Sequence, residues 1–407
     1  MIDTAVAGRV TRAELAQRAR QAPTGALTRY GALAAGIGGV AFLWALVSDT
    51  ERAWQAYHTN FVFWAVLGQA LVVFAASQKL AKGHWSGLII RFAEAAVAFQ
   101  FVILVLFVGL FLGREHLFGW LKDAPRPYLG VWFTTPVFFA RNGLILALLA
   151  WLSWRFVRRD MAPDIEELAT GRPVDPDAQE KGLISREAAI LALAFAFGYS
   201  LIGFDLVVSL YHKWMSNLYG AFYFMGGFLG ALGTLAVLTL SLRRAMGLEG
   251  LVSPRQLHDL GKLIFGFTVF WAYLMWAQFL VIWYGNLPEE TYFVWYRLWG
   301  PWRPVGVTVF ILVFVAPFIG LLGVKPKRRP ATLRTFALVS LTGLWLERYL
   351  EVVPSLSAGR GPAIGVPEIG VTLLYFGLFL LAFAWFAKRY PLLSPRLAAD
   401  TLEREAH

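Results

Sequence analysis

The 407-residue chain contains no cysteine. Thiolate-held iron–sulfur clusters, cysteine zinc sites and disulfides are thereby excluded, and nothing follows about redox compartment. Charge is scarce as well, with Asp, Glu, Lys and Arg together making up 15% of the residues. Histidine is down to six: His58, His84, His116, His212, His258 and His407. Each stands near the end of an apolar run or in the C-terminal tail, whereas a bis-histidine membrane haem needs paired imidazoles at matching depths in facing helices. The sequence therefore predicts no cofactor bound covalently or by metal ligation. The first 29 residues are polar and basic and lack the apolar core of about 7–15 residues that marks a signal peptide. They are expected to persist as a cytoplasmic arm.

What the chain does have is apolar surface: 58% hydrophobic residues, 16% aromatic, and a mean hydropathy of +0.57. A soluble fold of this length cannot bury so much, so the expected class is an all-α polytopic membrane protein. Apolar runs of about 20 residues cross the roughly 30 Å hydrocarbon core as helices. Ten such runs are present, near 30–47, 56–78, 86–112, 129–157, 188–210, 217–242, 259–284, 304–323, 333–352 and 367–388. The membrane domain then covers 30–390, with a polar linker at 158–187 and a C-terminal tail at 391–407.

Positive charge gives the direction. With the N-terminus cytoplasmic, 25 of the 37 Lys and Arg fall on the cytoplasmic side, eight in the opposite loops and four within spans. Both termini are expected in the cytoplasm. The net charge of +11 then reflects topology and contact with anionic lipid, and no soluble basic surface remains for nucleic acid. Between the seventh and eighth spans, residues 285–303 and their flanks crowd Trp283, Tyr284, Tyr292, Trp295, Tyr296, Trp299 and Trp302 into one connection. That density predicts a membrane-surface helix or a docking platform, with Trp295 and Trp299 as its anchors. Pro136 and Pro317 are expected to kink the fourth and eighth spans, and Gly226 and Gly230 to let the sixth pack closely.

Ionisable residues at membrane depth are expensive and usually pair or line a polar path. His258, Asp259 and Lys262 open the seventh span, with Lys262 within one turn of the other two. Arg91 and Glu94 lie about 8 and 12 Å into the third span, three residues apart on one face. Arg141 falls about 18 Å along the fourth, near the middle of the membrane, and needs a partner. Asp205 lies about 25 Å along the fifth, close to the outer interface, ahead of His212 and Lys213. Glu347, Arg348 and Glu351 reach the same outer level from the ninth. The set divides into an inner and an outer cluster with Arg141 between them and Tyr199 and Tyr273 as hydroxyl links. Two readings follow: proton half-channels, or satisfied pairs that hold helices in register. On the first, Asp205 accepts a proton, His212 passes it outward and Lys213 keeps the Asp205 carboxyl from becoming too basic.

Three stretches resemble a known family: "DLVVSLYHKWMSNLYGAFYFMGG" (Asp205–Gly227), "DLGKLIFGFTVFWAYLMWAQFLVIWYGNLPEET" (Asp259–Thr291) and "LERYLEVVPS" (Leu346–Ser355), with "FFARNGLI" around Arg141 in support. They are similar to the NrfD-like membrane subunits, specifically the ActF type of alternative complex III, a bacterial quinol:cytochrome c oxidoreductase. The family's first motif reads approximately D-x-x-x-S-L-D-P-H-W. Asp205, Ser209, Leu210 and Trp214 match it, while Lys213 takes the usual His position and His212 the usual Pro position. The resemblance implies two adjoining four-helix bundles, spans 2–5 and 6–9, flanked by spans 1 and 10, and the bacterial inner membrane as the location of the spans. It implies partners too: a paralogous quinol-oxidising NrfD-like subunit, an iron–sulfur subunit and c-type haem subunits, which would carry the redox centres, with quinone or menaquinone nearby. A purely structural anchor or a secondary transporter are the competing expectations.

Overall fold

The computed structural model describes residues 10–19, 21–121, 130–211, 213–357 and 359–406. His212 and His407 lie outside them. Among the described residues there is no strand, and nine helices are long and apolar enough to cross a membrane. The chain is an all-α polytopic membrane protein.

A short helix α1 (Arg12–Ala19) precedes α2 (Thr24–Ser48) and α3 (Thr50–Leu80). Asp49 caps α3 by accepting from Arg52 N. The third span is broken: α4 (Ile90–Glu94) stops one turn in and α5 (Val97–Leu112) continues after Ala95 and Ala96. Helix α6 (Thr135–Thr170) ends at Gly171, whose left-handed φ of 69° suits a residue without a side chain. Helix α7 (Ala178–Leu206) starts on an Asp177 cap, α8 is Tyr219–Ala245, and α9 (Pro254–Gly285) opens on a Ser253 cap with Pro254 at its first position. Then come α10 (Pro288–Leu298) and α11 (Arg303–Phe310), which runs through a π-helical turn at Ile311–Val315 into α12 (Ala316–Gly320). Helices α13 (Pro330–Leu356), α14 (Val366–Arg389) and α15 (Pro395–Ala406) complete the order.

Helices α3, α5, α6 and α7 pack as one bundle, and α8, α9, α11–α12 and α13 as a second. Helices α3 and α8 form the seam, joined across it by α3 with α13 and α7 with α8. The most apolar stretch of α3 is wholly buried, which makes it the central helix. Outside the bundles α2 and α14 run against each other; a Cβ at Gly38 would collide with the backbone of Leu374, so this approach requires glycine. Helix α13 is the tenth long helix, about 40 Å for 27 residues. Its buried Glu347, Arg348 and Glu351 make it less apolar than the other nine.

Three expectations change. The 158–187 linker is mostly helix: α6 runs through Thr170 with Asp160, Asp164 and Glu167 buried, and the connection shrinks to 171–177. Pro136 does not kink a span, because α6 begins at Thr135 and Pro136 occupies its first turn, where a missing N–H is harmless. Arg141 consequently sits only about 9 Å into α6, near its end and not at mid-membrane. Pro317, by contrast, follows the π-helical turn, a real departure from α geometry in the eighth span.

The terminal helices are not loose appendages. Helix α15 packs against α1, so both ends lie on one face, termed the terminal face below. Arg12 binds Glu167 at 2.6 Å, Arg18 donates to the Gly247 carbonyl at 2.7 Å, and Ser253 reaches Glu405 at 3.1 Å.

Candidate functional site

Two buried charge clusters occupy the two ends of the first bundle. On the terminal face, Arg91 of α4 is fully buried and donates to Glu94, to Asp160 Oδ2 at 2.8 Å, to the Asp160 carbonyl at 2.9 Å, and to Asp164. Lys79 Nζ lies 2.8 Å from Asp160 Oδ1. Ser394 Oγ donates to Asp164 Oδ1 at 2.8 Å, and Arg396 Nε stands 3.8 Å from the same oxygen. Three carboxylates and three cations thus neutralise one another where an isolated charge could not remain. Glu94 Oε1 has no hydrogen-bond partner among the described residues, nor have Arg91 Nε and Arg396 Nε and Nη2, and Glu94 is the last residue before the break in the third span.

At the opposite end, Asp205 Oδ2 accepts from Arg141 Nε at 2.9 Å, Arg141 Nη2 at 2.7 Å and Asn142 Nδ2 at 2.8 Å. The Arg141 guanidinium lies 3.8 Å over the Trp132 ring and donates to the Trp132 carbonyl at 3.1 Å. The partner of Asp205 is therefore Arg141; Lys213 stands exposed in a turn without an ion pair among the described residues. Beside the cluster, His58 of α3 is completely buried with Nε2 2.7 Å from the Leu206 carbonyl. A carbonyl only accepts, so Nε2 carries the proton and Nδ1 presents a lone pair, with no partner among the described residues.

Between the clusters the bundle holds a sparse polar series. Gln69 Nε2 donates to Ser153 Oγ at 2.7 Å, leaving Gln69 Oε1 without a hydrogen-bond partner among the described residues, and the Gln100 amide lies beside Gly68. Tyr199 is fully buried and its hydroxyl donates to the Ala65 carbonyl at 2.7 Å. Tyr223, stacked on Tyr199 across the seam, donates to Val62 at 2.8 Å.

The second bundle has its own buried cluster. Arg348 binds Glu351 and lies 3.3 Å from Glu347, donates to the Tyr223 carbonyl at 3.2 Å, and covers the Tyr223 ring at 4.5 Å. Trp271 Nε1 donates to Glu347 Oε1 at 2.6 Å. Gly226 forms the seat of Arg348, since a Cβ there would stand 2.8 Å from Nη2. The functional partner of this glycine is a charge as much as a helix.

Other sequence candidates fall elsewhere. Asp259 and Lys262 pair at 2.6 Å on the surface of the terminal face, with His258 beside them and Arg328 opposite. No contact joins them to Arg91 or Glu94 among the described residues. Tyr273 of α9 is 60% exposed and stacks on Phe270, with no hydrogen bond to either cluster among the described residues. Trp295 of α10 and Trp299, which caps its end, are 52% and 54% exposed, while Arg297 turns inward. That guanidinium donates to the carbonyls of Leu350, Phe293 and Glu351 at 3.0, 3.1 and 3.2 Å and to Ser355 Oγ at 2.8 Å. Burial pulls Arg297 down to about 9, partly offset by Glu351, so it stays charged at neutral pH and pins α10 to α13.

Sequence reasoning missed Asp160, Asp164, Lys79, Arg396, His58 and Arg297. Only His58 carried a signal, as a histidine within an otherwise apolar run. No group of three or more metal-ligating residues occurs among the described residues. The sequence matches no protein-family model and no curated protein.

Proposed function

We propose that this chain is a proton-conducting integral subunit of a quinol-oxidising membrane complex of the alternative complex III type, with no redox cofactor of its own. The observation that carries the proton reading is the placement of Asp160 and Asn142 on the single helix α6, 18 residues and about 27 Å apart. Each belongs to a buried carboxylate cluster, and the distance nearly matches the hydrocarbon core. From Glu94 the series continues through Gln100, Gln69 with Ser153, and Tyr199 toward His58 and Asp205. Steps along it are about 6–11 Å by helix rise, lengths that take a chain of about two or three waters each.

The complex itself rests on the resemblance in Asp205–Gly227, Asp259–Thr291 and Leu346–Ser355. A quinol-oxidising paralogue, an iron–sulfur subunit and c-type haem subunits would supply electron transfer, and α10 with its outward Trp295 and Trp299 offers them a surface. The distribution of Lys and Arg supports a cytoplasmic terminal face, and the resemblance supports the bacterial inner membrane. Purification in mild detergent tests the assignment. Co-migration with haem and iron–sulfur proteins is expected; recovery as a lone, active carrier would overturn it.

A second reading is favoured by the α13 cluster, where Arg348 is fully engaged by Glu347, Glu351 and Tyr223. These residues hold α8, α9 and α13 in register, and the second bundle would then serve as an anchor. The same anchor role for the whole chain predicts normal proton movement in variants of the first bundle.

A further inference from the structure

On the terminal face, at the mouth of the inner cluster, lies a cavity of 330 Å³. Its wall combines Lys79, Lys82, His84, Lys181 and Arg396 with two carboxylates, Asp160 and Asp400. Both carboxylates are already taken. Asp160 holds Lys79 and Arg91, and Asp400 holds His84 at 2.6 Å and Arg404 at 2.9 Å. Lys82 and Lys181 have no ion pair among the described residues, and Arg396 reaches Asp164 only at 3.8 Å. Its buried Nε and Nη2 find no hydrogen-bond partner there, nor does the buried hydroxyl of Ser86, which lines the same cavity.

The wall therefore carries two lysines without an ion pair among the described residues and several buried donors without a partner, against a neutral amide oxygen, Gln78 Oε1, that also lacks one, an arrangement folded proteins rarely leave unfilled. An oxyanion with several acceptor oxygens answers it best. Backbone geometry points the same way. Lys82 ends α3 with a left-handed φ of 51°, a position that favours glycine or asparagine, and glycine stands at the very next residue. A lysine held there at a conformational cost is consistent with use of its side chain. Ile90, Ile184 and Leu397 complete the lining with apolar surface, at the helix ends where headgroups meet water.

We propose that this cavity binds a phosphate group, presented by a phospholipid headgroup or by a small phosphate compound. Lys82, Lys181 and Arg396 neutralise it from the cavity wall. The bound group would tie the 81–89 turn, the start of α7 and α15 together.

The test uses the full-length protein, stripped of lipid in detergent, with binding read by native mass spectrometry and by thermal shift. The probes are phosphatidylglycerol, phosphatidylcholine, glycerol 3-phosphate and inorganic phosphate. Binding of phosphatidylglycerol in preference to phosphatidylcholine, undisturbed by millimolar inorganic phosphate, identifies a lipid headgroup. Binding of inorganic or glycerol phosphate without retained lipid identifies a small compound. In either case Lys181→Gln and Arg396→Gln weaken binding about tenfold each. Lys82→Gly is the discriminating variant: it weakens binding while raising the melting temperature of the ligand-free protein, because it relieves the left-handed backbone. The proposal is overturned when no phosphate probe binds, or when all three variants bind as tightly as the parent.

Discussion

Arg141 Nη2 and Asp205 Oδ2 stand 2.7 Å apart, joining the first turns of α6 to the last turn of α7. Asp205 is buried and would keep the neutral Asn142 amide as a donor, so removing Arg141 leaves a carboxylate without its counter-charge. Arg141→Ala is expected to lower stability by about 3 kcal/mol, more than the paired replacement Arg141→Met with Asp205→Leu. Thermal unfolding of the two variants checks this; equal losses would show that the ion pair itself contributes little.

The seat of Arg348 makes a second prediction. Gly226→Ala places a methyl group 2.8 Å from Nη2 and should cost about 1–3 kcal/mol by displacing the guanidinium from the Tyr223 carbonyl. Gly266→Ala, on α9 with open space around it, should be neutral or stabilise by up to about 1 kcal/mol. Melting temperatures of the two should shift in opposite directions, or only the first should move.

Separate outcomes are expected for the tryptophans in and after α10. Trp295→Ala and Trp299→Ala remove exposed rings, so the isolated chain should melt normally while partner subunits dissociate under salt and detergent challenge. Trp302→Ala removes a fully buried ring and should cost about 3–5 kcal/mol in the chain itself. Full subunit composition in both exposed-site variants would leave a lipid-facing belt as the role of this surface.

The tail gives a pH dependence. Desolvation tends to raise Asp400, but hydrogen bonds from Arg404 and His84 outweigh it and hold the carboxyl below its ordinary value. The sign follows: the contribution is present above the unfolded value of about 4 and is lost as pH falls through the lower folded value. Asp400 is partly exposed, so the effect is at most about 1 kcal/mol. A fluorescent label on α15 should report release of the tail below about pH 4, and Asp400→Asn should flatten that limb.

Helix existence was legible because a run of about 20 apolar residues has one low-energy fate in a bilayer. Helix ends were not, and every misplaced depth follows from them. Starting the fourth span at 129 instead of Thr135 put Arg141 at mid-membrane and Pro136 inside a helix. Ending it at 157 left Asp160 and Asp164 in a linker, although they complete the Arg91 cluster from 69 and 73 residues away. Partnerships at such separations are fixed by how helices pack, which local periodicity does not encode. Asp205 shows the same limit: searching its own helix for a cation suggested Lys213, while the cation came from α6.

The most direct test of the central claim is proton movement in the assembled complex carrying Glu94→Gln, reconstituted in vesicles with a pH-sensitive dye inside. Glutamine keeps the size of the side chain at the break in the third span but cannot exchange a proton. The account predicts that the complex assembles and that proton translocation per electron falls, with Asp205→Asn giving the same phenotype from the other end of the bundle. Normal proton movement in both fully assembled variants would contradict it.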